Sequence, residues 1–392
     1  MKLSEHARRA RRVRIAVSAA FMAGGVVIGG WAPHIPLVKE RLGLGPGLLG
    51  AALLAMAMGA VVAMPTTGLL ISRFGSGPVT RTASLIFVPA FLLPVLAPNL
   101  PLLIAALAVF GAATGIMDVA MNAHAVHLEE RMGRPIMSSF HGLFSLGGLV
   151  GAAVGGVMLS YLDPMVHAVS VCAVVFVGLS LALRHLFPGT ADTGGRRERM
   201  ALPNLATLGF GALAFLSLMS EGAVLDWSAV YLRETLGAEA GVAAAGFAAF
   251  SATMAVGRLL GDAVRARIGA AALVRGSGFV AAAGLGTGLF VATPTAAVVG
   301  FACPGIGLAN LVPILFGAAG RASGRAAGGA IATVATLGYS GFLVGPPLIG
   351  FVAEVESLAG ALWLLVGACA VLGLAAPVTR VADGNGADSP QS

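Results

Sequence analysis

The sequence predicts an all-α membrane protein of twelve transmembrane helices, arranged as two parallel six-helix repeats. Three observations lead there. With 57% hydrophobic and 10% charged residues and a mean hydropathy of +0.92, the chain is far more apolar than a globular domain, whose charged fraction is about 25%. Apolar windows of about 20 residues, enough to cross a bilayer as a helix, recur along the whole chain. A single offset of 194 residues also lays regions of the second half on regions of the first, as when Lys39 falls on Arg233.

The first segment, residues 13–36, follows a basic cap, MKLSEHARRARRVR. Its apolar run is longer than a signal-peptide core of about 7 to 15 residues, and many similar runs follow, so it is expected to remain as the first helix. The others fall at 47–71, 79–97, 101–127, 136–161, 164–186, 204–231, 240–263, 271–293, 295–318, 326–352 and 357–379. Loop charge tests the count, because an even number of spans puts both termini on one side and makes alternate loops basic. Of the 24 Lys and Arg, only Lys39, Arg41 and Arg233 fall in loops of the other side. This places both termini in the cytoplasm and the chain as a multi-pass protein of the inner (plasma) membrane. The net charge of +7 thus sets topology, and no nucleic-acid partner is implied. Cys172, Cys303 and Cys369 lie inside apolar stretches and read as small packing residues, with neither a disulfide nor a metal-binding spacing.

The longest polar interruption, PGTADTGGRRERMALP, divides the chain. It gives an N-terminal six-helix bundle (1–187), a cytoplasmic linker (188–203), a C-terminal six-helix bundle (204–380) and a cytoplasmic tail (381–392). The 194-residue offset places KERLG (Lys39 to Gly43) on RETLG (Arg233 to Gly237), Gly75 and Arg81 on Gly269 and Arg275, and Gly111 on Gly305. It also places Gly147, Gly151 and Gly156 on Gly341, Gly345 and Gly350. Parallel repeats with a site at their interface are a secondary-transporter architecture.

The fourth and fifth segments hold the most informative polar residues. Gly111, Gly115, Asp118 and Asn122 recur at spacings of four, three and four, one stripe of an α-helix. Small residues there admit a close neighbour helix. An acid at bilayer depth costs at least about 2.5 to 3.5 kcal/mol unless it is paired, hydrated or protonated, which makes Asp118 a functional candidate by default. A charged hinge (Glu129, Glu130, Arg131, Arg134) precedes the fifth segment, where His141 stands above a glycine ladder. His141 either binds solute or hydrogen-bonds between helices. His124 and His127 are expected to be solvated near the cytoplasmic surface.

In the seventh segment Ser217, Glu221 and Asp226 interrupt an apolar run, followed by Trp227. Glu221 lies too deep to snorkel and is a site or coupling candidate. Asp226 and Trp227, like Trp31 and His34 at the comparable end of the first segment, read either as site residues or as a hydrated acid and interfacial aromatics. Asn310 and Tyr339 give the second half neutral hydrogen-bonding groups. Asp262, with Arg265 and Arg267 three and five residues on, suggests an ion pair at a cytoplasmic helix end that forms in one state and breaks in the other. Its plain alternative is a helix-end pair with topology charges. Arg258, one turn deeper, is expected to snorkel to the same surface; Arg73 and Arg81 read chiefly as topology determinants.

A P-loop needs a lysine after its glycines, and the only lysines are Lys2 and Lys39. No HExxH, CxxC or GxSxG occurs in a credible setting, so no enzyme is indicated, no metal or cofactor is called for, and transport must draw on a gradient.

The chain resembles the major facilitator superfamily over essentially its whole length. GLLISRFGSGPVTR (Gly68 to Arg81) is similar to that family's loop between helices 2 and 3, and GRLLGDAVRARIG (Gly257 to Gly269) to the loop between helices 8 and 9. DVAMNAHAVHLEERMGRPIMSSFHGLFSLGG and EGAVLDWSAVYLRETLG (Glu221 to Gly237) resemble the branch of fucose-permease-like and rhizopine-transporter-like proteins. In the first loop Ser72 stands where the family has an acid, whereas the second half keeps Asp262. The resemblance implies the major facilitator fold and uptake of a small hydroxylated or amino-substituted solute, sugar or cyclitol-like; the intramembrane acids imply that the uptake is proton-coupled, and a monomer is expected. Asp118, Glu221 and Asp226 are then the proton-coupling candidates. Asn122, His141, Trp31, Asn310, Tyr339 and Trp227 are the solute-binding candidates, and Asp262, Arg265, Arg267 and Arg73 the gate. Fucose-permease-like carriers also place an acid in helix 1, and residues 13–36 contain none. A proton-antiporting drug or sugar exporter and a non-transporting membrane receptor are the alternatives. The exporters' glycine-proline motif is missing from the fifth segment, while Gly345-Pro346-Pro347 lies in the eleventh.

Overall fold

Hydropathy alone places the helices closely. In a computed structural model describing residues 2–133, 136–188, 204–323 and 327–383, eleven helices are long and apolar enough to cross a membrane. They are α1 (Arg8–Arg41), α2 (Pro46–Phe74), α3 (Ser76–Leu96), α4 (Leu100–Met132), α5 (Met137–Leu159), α6 (Pro164–His185), α7 (Leu205–Thr235), α8 (Ala240–Ile268), α9 (Ala270–Val291), α10 (Pro294–Ser323) and α11 (Gly329–Val355). A further helix, α12 (Leu358–Leu374), bends by 49° into Ala376–Asp383, and with this bent pair taken as one span the count is twelve. The described residues contain no strand. Arg134, most of the predicted linker (189–203) and residues 384–392 of the predicted tail lie outside the described residues.

The helices outrun the apolar windows where the last turn is basic. Arg131 closes α4, Arg265 and Arg267 close α8, and Arg321 closes α10. Cations there complement the helix dipole and carry the helix beyond the hydrocarbon. Residues 376–383, expected as the end of a span and the start of a free tail, turn back and dock. Asp383 accepts a hydrogen bond from Ala270 N at 2.6 Å and pairs with Arg265 at 3.3 Å.

The repeat is visible in the packing. α1 packs on α5 as α7 packs on α11, and α2 on α4 as α8 on α10; between the halves, α5 meets α8 as α11 meets α2. The crossings keep the offset. A methyl added to Gly111 would collide with the Met56 carbonyl, and one added to Gly305 with that of Phe250. Likewise, Gly156 faces Ala244 while Gly350 faces Gly50. Gly151 and Gly345 abut α1 and α7, against Val26 and Met219. Caps follow suit with different residues: Asn99 and Thr293 cap α4 and α10, and Asp163 and Ser357 cap α6 and α12. Gly43 and Gly237, 194 residues apart, hold φ of 62° and 65°, a left-handed turn that glycine adopts without steric cost.

The offset also corrects the loop comparison. Gly75 and Gly269 are equivalent, with φ of 83° and 80°. Ser72 lies three residues before the first and Asp262 seven before the second, so these two residues do not occupy matching positions.

Candidate functional site

The stripe on α4 forms as its spacing dictates. Gly111 and Gly115 press against Met56 and Ala60 of α2. Asn122 Nδ2 donates to the backbone oxygen of Asp118 at 2.9 Å and to its carboxylate at 3.1 Å. Asp118 has no cationic partner among the described residues. The phenol of Tyr339, on α11, lies in the fields of both Asp118 and Glu221. α11 packs on α7, which carries Glu221, and on α2, which in turn packs on the α4 that carries Asp118.

Glu221 does not stand alone either. Arg258 of α8 pairs with it, Nη2 to Oε1, at 3.4 Å, with the two side chains 18% and 21% exposed. The same guanidinium donates from Nη1 to Ser145 Oγ at 2.8 Å and to the His141 carbonyl at 3.4 Å. Arg258 therefore ties α7 and α8 of the second half to α5 of the first. This corrects the expectation that it snorkels to the surface. Sequence reasoning missed Arg258 and Ser145 as site residues; the available signal was a guanidinium within an otherwise apolar run, which is a functional flag by default. With all groups ionised the cluster holds two carboxylates and one guanidinium, so one negative charge, that of Asp118, stays unmatched.

His141 is half-buried on α5, with its ring edge-on to Phe21 at 5.3 Å and in the field of Arg258. The contacts thus form two groups, Asp118 with Asn122 on α4 and Glu221 with Arg258, Ser145 and the His141 backbone, and Tyr339 lies within electrostatic reach of the carboxylates of both.

Other candidates sit elsewhere. Asn310 occupies the break in α10 and donates to the Gly257 carbonyl at 3.0 Å, so its amide joins α10 to α8. Trp31 and Trp227 are 1% and 0% exposed, which overturns the interfacial reading of both. Trp31 stacks on His34, whose Nε2 lies 2.8 Å from His167 Nδ1 within the first half. Asp226 is 7% exposed and has no hydrogen bond or ion pair among the described residues. His124 is also buried, and its Nδ1 is 2.9 Å from Ser76 Oγ, against the expectation of a solvated ring; His127 is half-buried against Phe187.

At the end of the bundle that carries the termini, the exposed Asp262 accepts from Ser138 Oγ of α5 at 3.2 Å, a contact between halves. Arg265 takes Asp383 as its acid, while Arg267 and Arg73 are exposed, Arg73 lying over the Phe74 ring at 5.2 Å. Ser72 spends its hydroxyl on the Leu69 carbonyl of its own helix.

Comparison with known proteins places this arrangement among transporters. The family model described as Major Facilitator Superfamily matches residues 13–341. An uncharacterized MFS-type transporter of Yersinia pestis is 36% identical over 88% of this chain and 90% of its own length. Membrane protein MosC of Rhizobium meliloti is 37% identical over 90% of this chain and 86% of MosC. An uncharacterized transporter of Sinorhizobium fredii is 35% identical over 93% of this chain and 97% of its own. Among solved structures, a mutant form of the nucleoside transporter NupG superimposes with a TM-score of 0.73 at 13% identity, covering 95% of this chain and 99% of that one. A second NupG structure gives a TM-score of 0.68 at 12% identity, over 94% and 98%. At that identity the likeness is one of fold.

Proposed function

The chain belongs to the Major Facilitator Superfamily, and on that premise we propose that it is a proton-coupled importer of a small hydroxylated or amino-substituted solute, sugar or cyclitol-like. A multi-pass membrane transporter of this family moves a small solute by exposing one site alternately to either side. The observation that carries the finer reading is the unmatched Asp118 carboxylate. It shares a helix face with Asn122 and its charge reaches the Tyr339 phenol of the other half, while Glu221 already has Arg258.

In this reading Asp118 carries the proton. The amides, hydroxyls and imidazole around it, from Asn122, Ser145, Tyr339 and His141, hydrogen-bond the solute. Loading a proton removes the unmatched charge of this cluster, and the neutral cluster is the one that can be occluded without leaving an unpaired ion there in a dry site. The solute hydroxyls sense that charge directly, which couples the two binding events. Two six-helix bundles (1–187 and 204–380) would rock about this cluster in a monomer of the inner membrane, with linker and termini in the cytoplasm. The gate would use the Asp262–Ser138 contact, with Arg265, Arg267 and Arg73 on the same face.

The test is proton movement on solute addition. Purified protein in liposomes containing a pH-sensitive dye is presented with neutral sugars, cyclitols, amino sugars and cationic drugs. Import coupled to protons predicts internal acidification with at least one sugar, cyclitol or amino sugar. Internal alkalinisation with drugs or sugars alone would favour the exporter, and silence with every solute, together with absent counterflow, the receptor.

A further inference from the structure

Two copies of one short motif, KERLG and RETLG, close α1 and α7 and run into the connections that follow, at the end of the bundle away from the termini. The 194-residue offset lays Lys39 on Arg233 and Glu40 on Glu234. In the structure each cation takes the acid of the other copy: Lys39 Nζ lies 2.6 Å from Glu234 Oε2, and Arg233 Nη2 lies 3.5 Å from Glu40 Oε2. Such an exchange, residue i to j and j to i, is what a twofold relation between two copies imposes on an interface. Among the described residues these are the only ion pairs joining one half of the molecule to the other.

Other groups reinforce the same end. Glu354, at the end of α11, accepts from Gly47 N of α2 at 2.9 Å, and Ser160, 194 residues earlier, faces Gly241 at the start of α8. Between the two motifs lies a pocket of about 600 Å³ lined by the four charged residues with Gly43, Leu44, Gly237 and Ala238.

We propose that the reciprocal pairs Lys39–Glu234 and Arg233–Glu40 form a latch that holds this face shut and must part before it opens. Each pair joins one half to the other, so moving the halves apart at this face separates each cation from its acid. The two pairs share a geometry and differ in strength. Lys39 and Glu234 side chains are 10% and 35% exposed, whereas Arg233 and Glu40 are 33% and 67% exposed. A shielded cation left without its acid is costly, while an exposed pair contributes little. Lys39–Glu234 therefore sets the latch, and Arg233–Glu40 mainly fixes register.

The proposal rests on alternating access but on no particular solute, and its test uses none, so its failure would leave the Asp118 reading standing. Leu44→Cys, at a buried position on the pocket floor, is placed in the full chain with Cys172, Cys303 and Cys369 changed to alanine. The protein is reconstituted in nanodiscs and labelled with a bulky hydrophilic maleimide. Adding Glu234→Gln should raise the labelling rate by about fivefold or more, the scale of a typical coupling free energy. Glu40→Gln should raise it less, and the exchange Lys39→Glu with Glu234→Lys should bring it back toward the starting rate. Raising salt to about 1 M in the unsubstituted latch should also accelerate labelling, a measurement that needs no latch mutation. A labelling rate unchanged by salt and by Glu234→Gln in a folded, monodisperse protein would overturn the proposal, as would a charge exchange that labels as fast as Glu234→Gln.

Discussion

Arg258 Nη2 lies 3.4 Å from Glu221 Oε1 while its Nη1 holds Ser145 of the other half at 2.8 Å. The pair is four-fifths shielded from water, so removing one member strands the other. Arg258→Gln is expected to destabilise the protein by up to about 3 kcal/mol, and Arg258→Gln with Glu221→Gln to recover most of that loss, because the double variant leaves no lone charge. Thermal unfolding in detergent of the wild type, the two single variants and the double variant measures the cycle. Additive losses would mean the two residues do not act as a pair.

The crossings of the two repeats should be equally intolerant of bulk. Gly111→Val and Gly305→Val both drive a side chain into a facing carbonyl, of Met56 and of Phe250, and each should cost about 1 to 3 kcal/mol or prevent folding. Gly178→Ala, with nothing within 4 Å of the added methyl, should be neutral or slightly stabilising. Unfolding midpoints of the three variants give the comparison, and tolerance at Gly305 with collapse at Gly111 would break the equivalence.

At the face carrying the termini, Asp262→Asn is expected to impair initial uptake more than Ser72→Ala. The reason is a contact and not a shared motif position: Asp262 receives Ser138 from the other half, whereas Ser72 bonds only within its own helix. Initial-rate uptake decides it, and equal, negligible effects would remove Asp262 from the gate.

These contrasts also mark what the sequence can disclose. The spans were legible because hydrocarbon demands long apolar runs, and the Asp118–Asn122 pair because a helix puts residues four apart on one face. The repeat was legible where glycines recur, as at Gly111 and Gly305, since close helix approach forbids a side chain. It was invisible where two residue types perform one task, as Asn99 and Thr293 do at equivalent caps. Helix ends such as Ile268 of α8 were misjudged because hydropathy falls before the backbone unwinds. Arg258 was misread because depth alone does not tell a snorkelling arginine from one whose partners, Ser145 and Glu221, come from other helices. Trp31 and Trp227 stayed open between site residues and interfacial aromatics because burial depends on neighbouring helices that the sequence does not place.

Asp226 is the competing carboxylate, being buried and without a partner among the described residues. Its charge is not among those that reach Tyr339, so Asp226→Asn should leave gradient-driven accumulation largely intact, within about threefold of the wild type, a loss under about 1 kcal/mol. A variant that binds and exchanges solute but cannot concentrate it would transfer the coupling role to Asp226.

The most direct test of the central claim is Asp118→Asn, which mimics the protonated acid while preserving shape. Purified wild type and variant are compared in liposomes for solute counterflow without a gradient and for accumulation driven by a pH gradient, using whichever solute drives acidification in the dye assay. The account predicts counterflow partly retained and accumulation abolished in the variant. Accumulation at the wild-type level with an unchanged pH profile would contradict it.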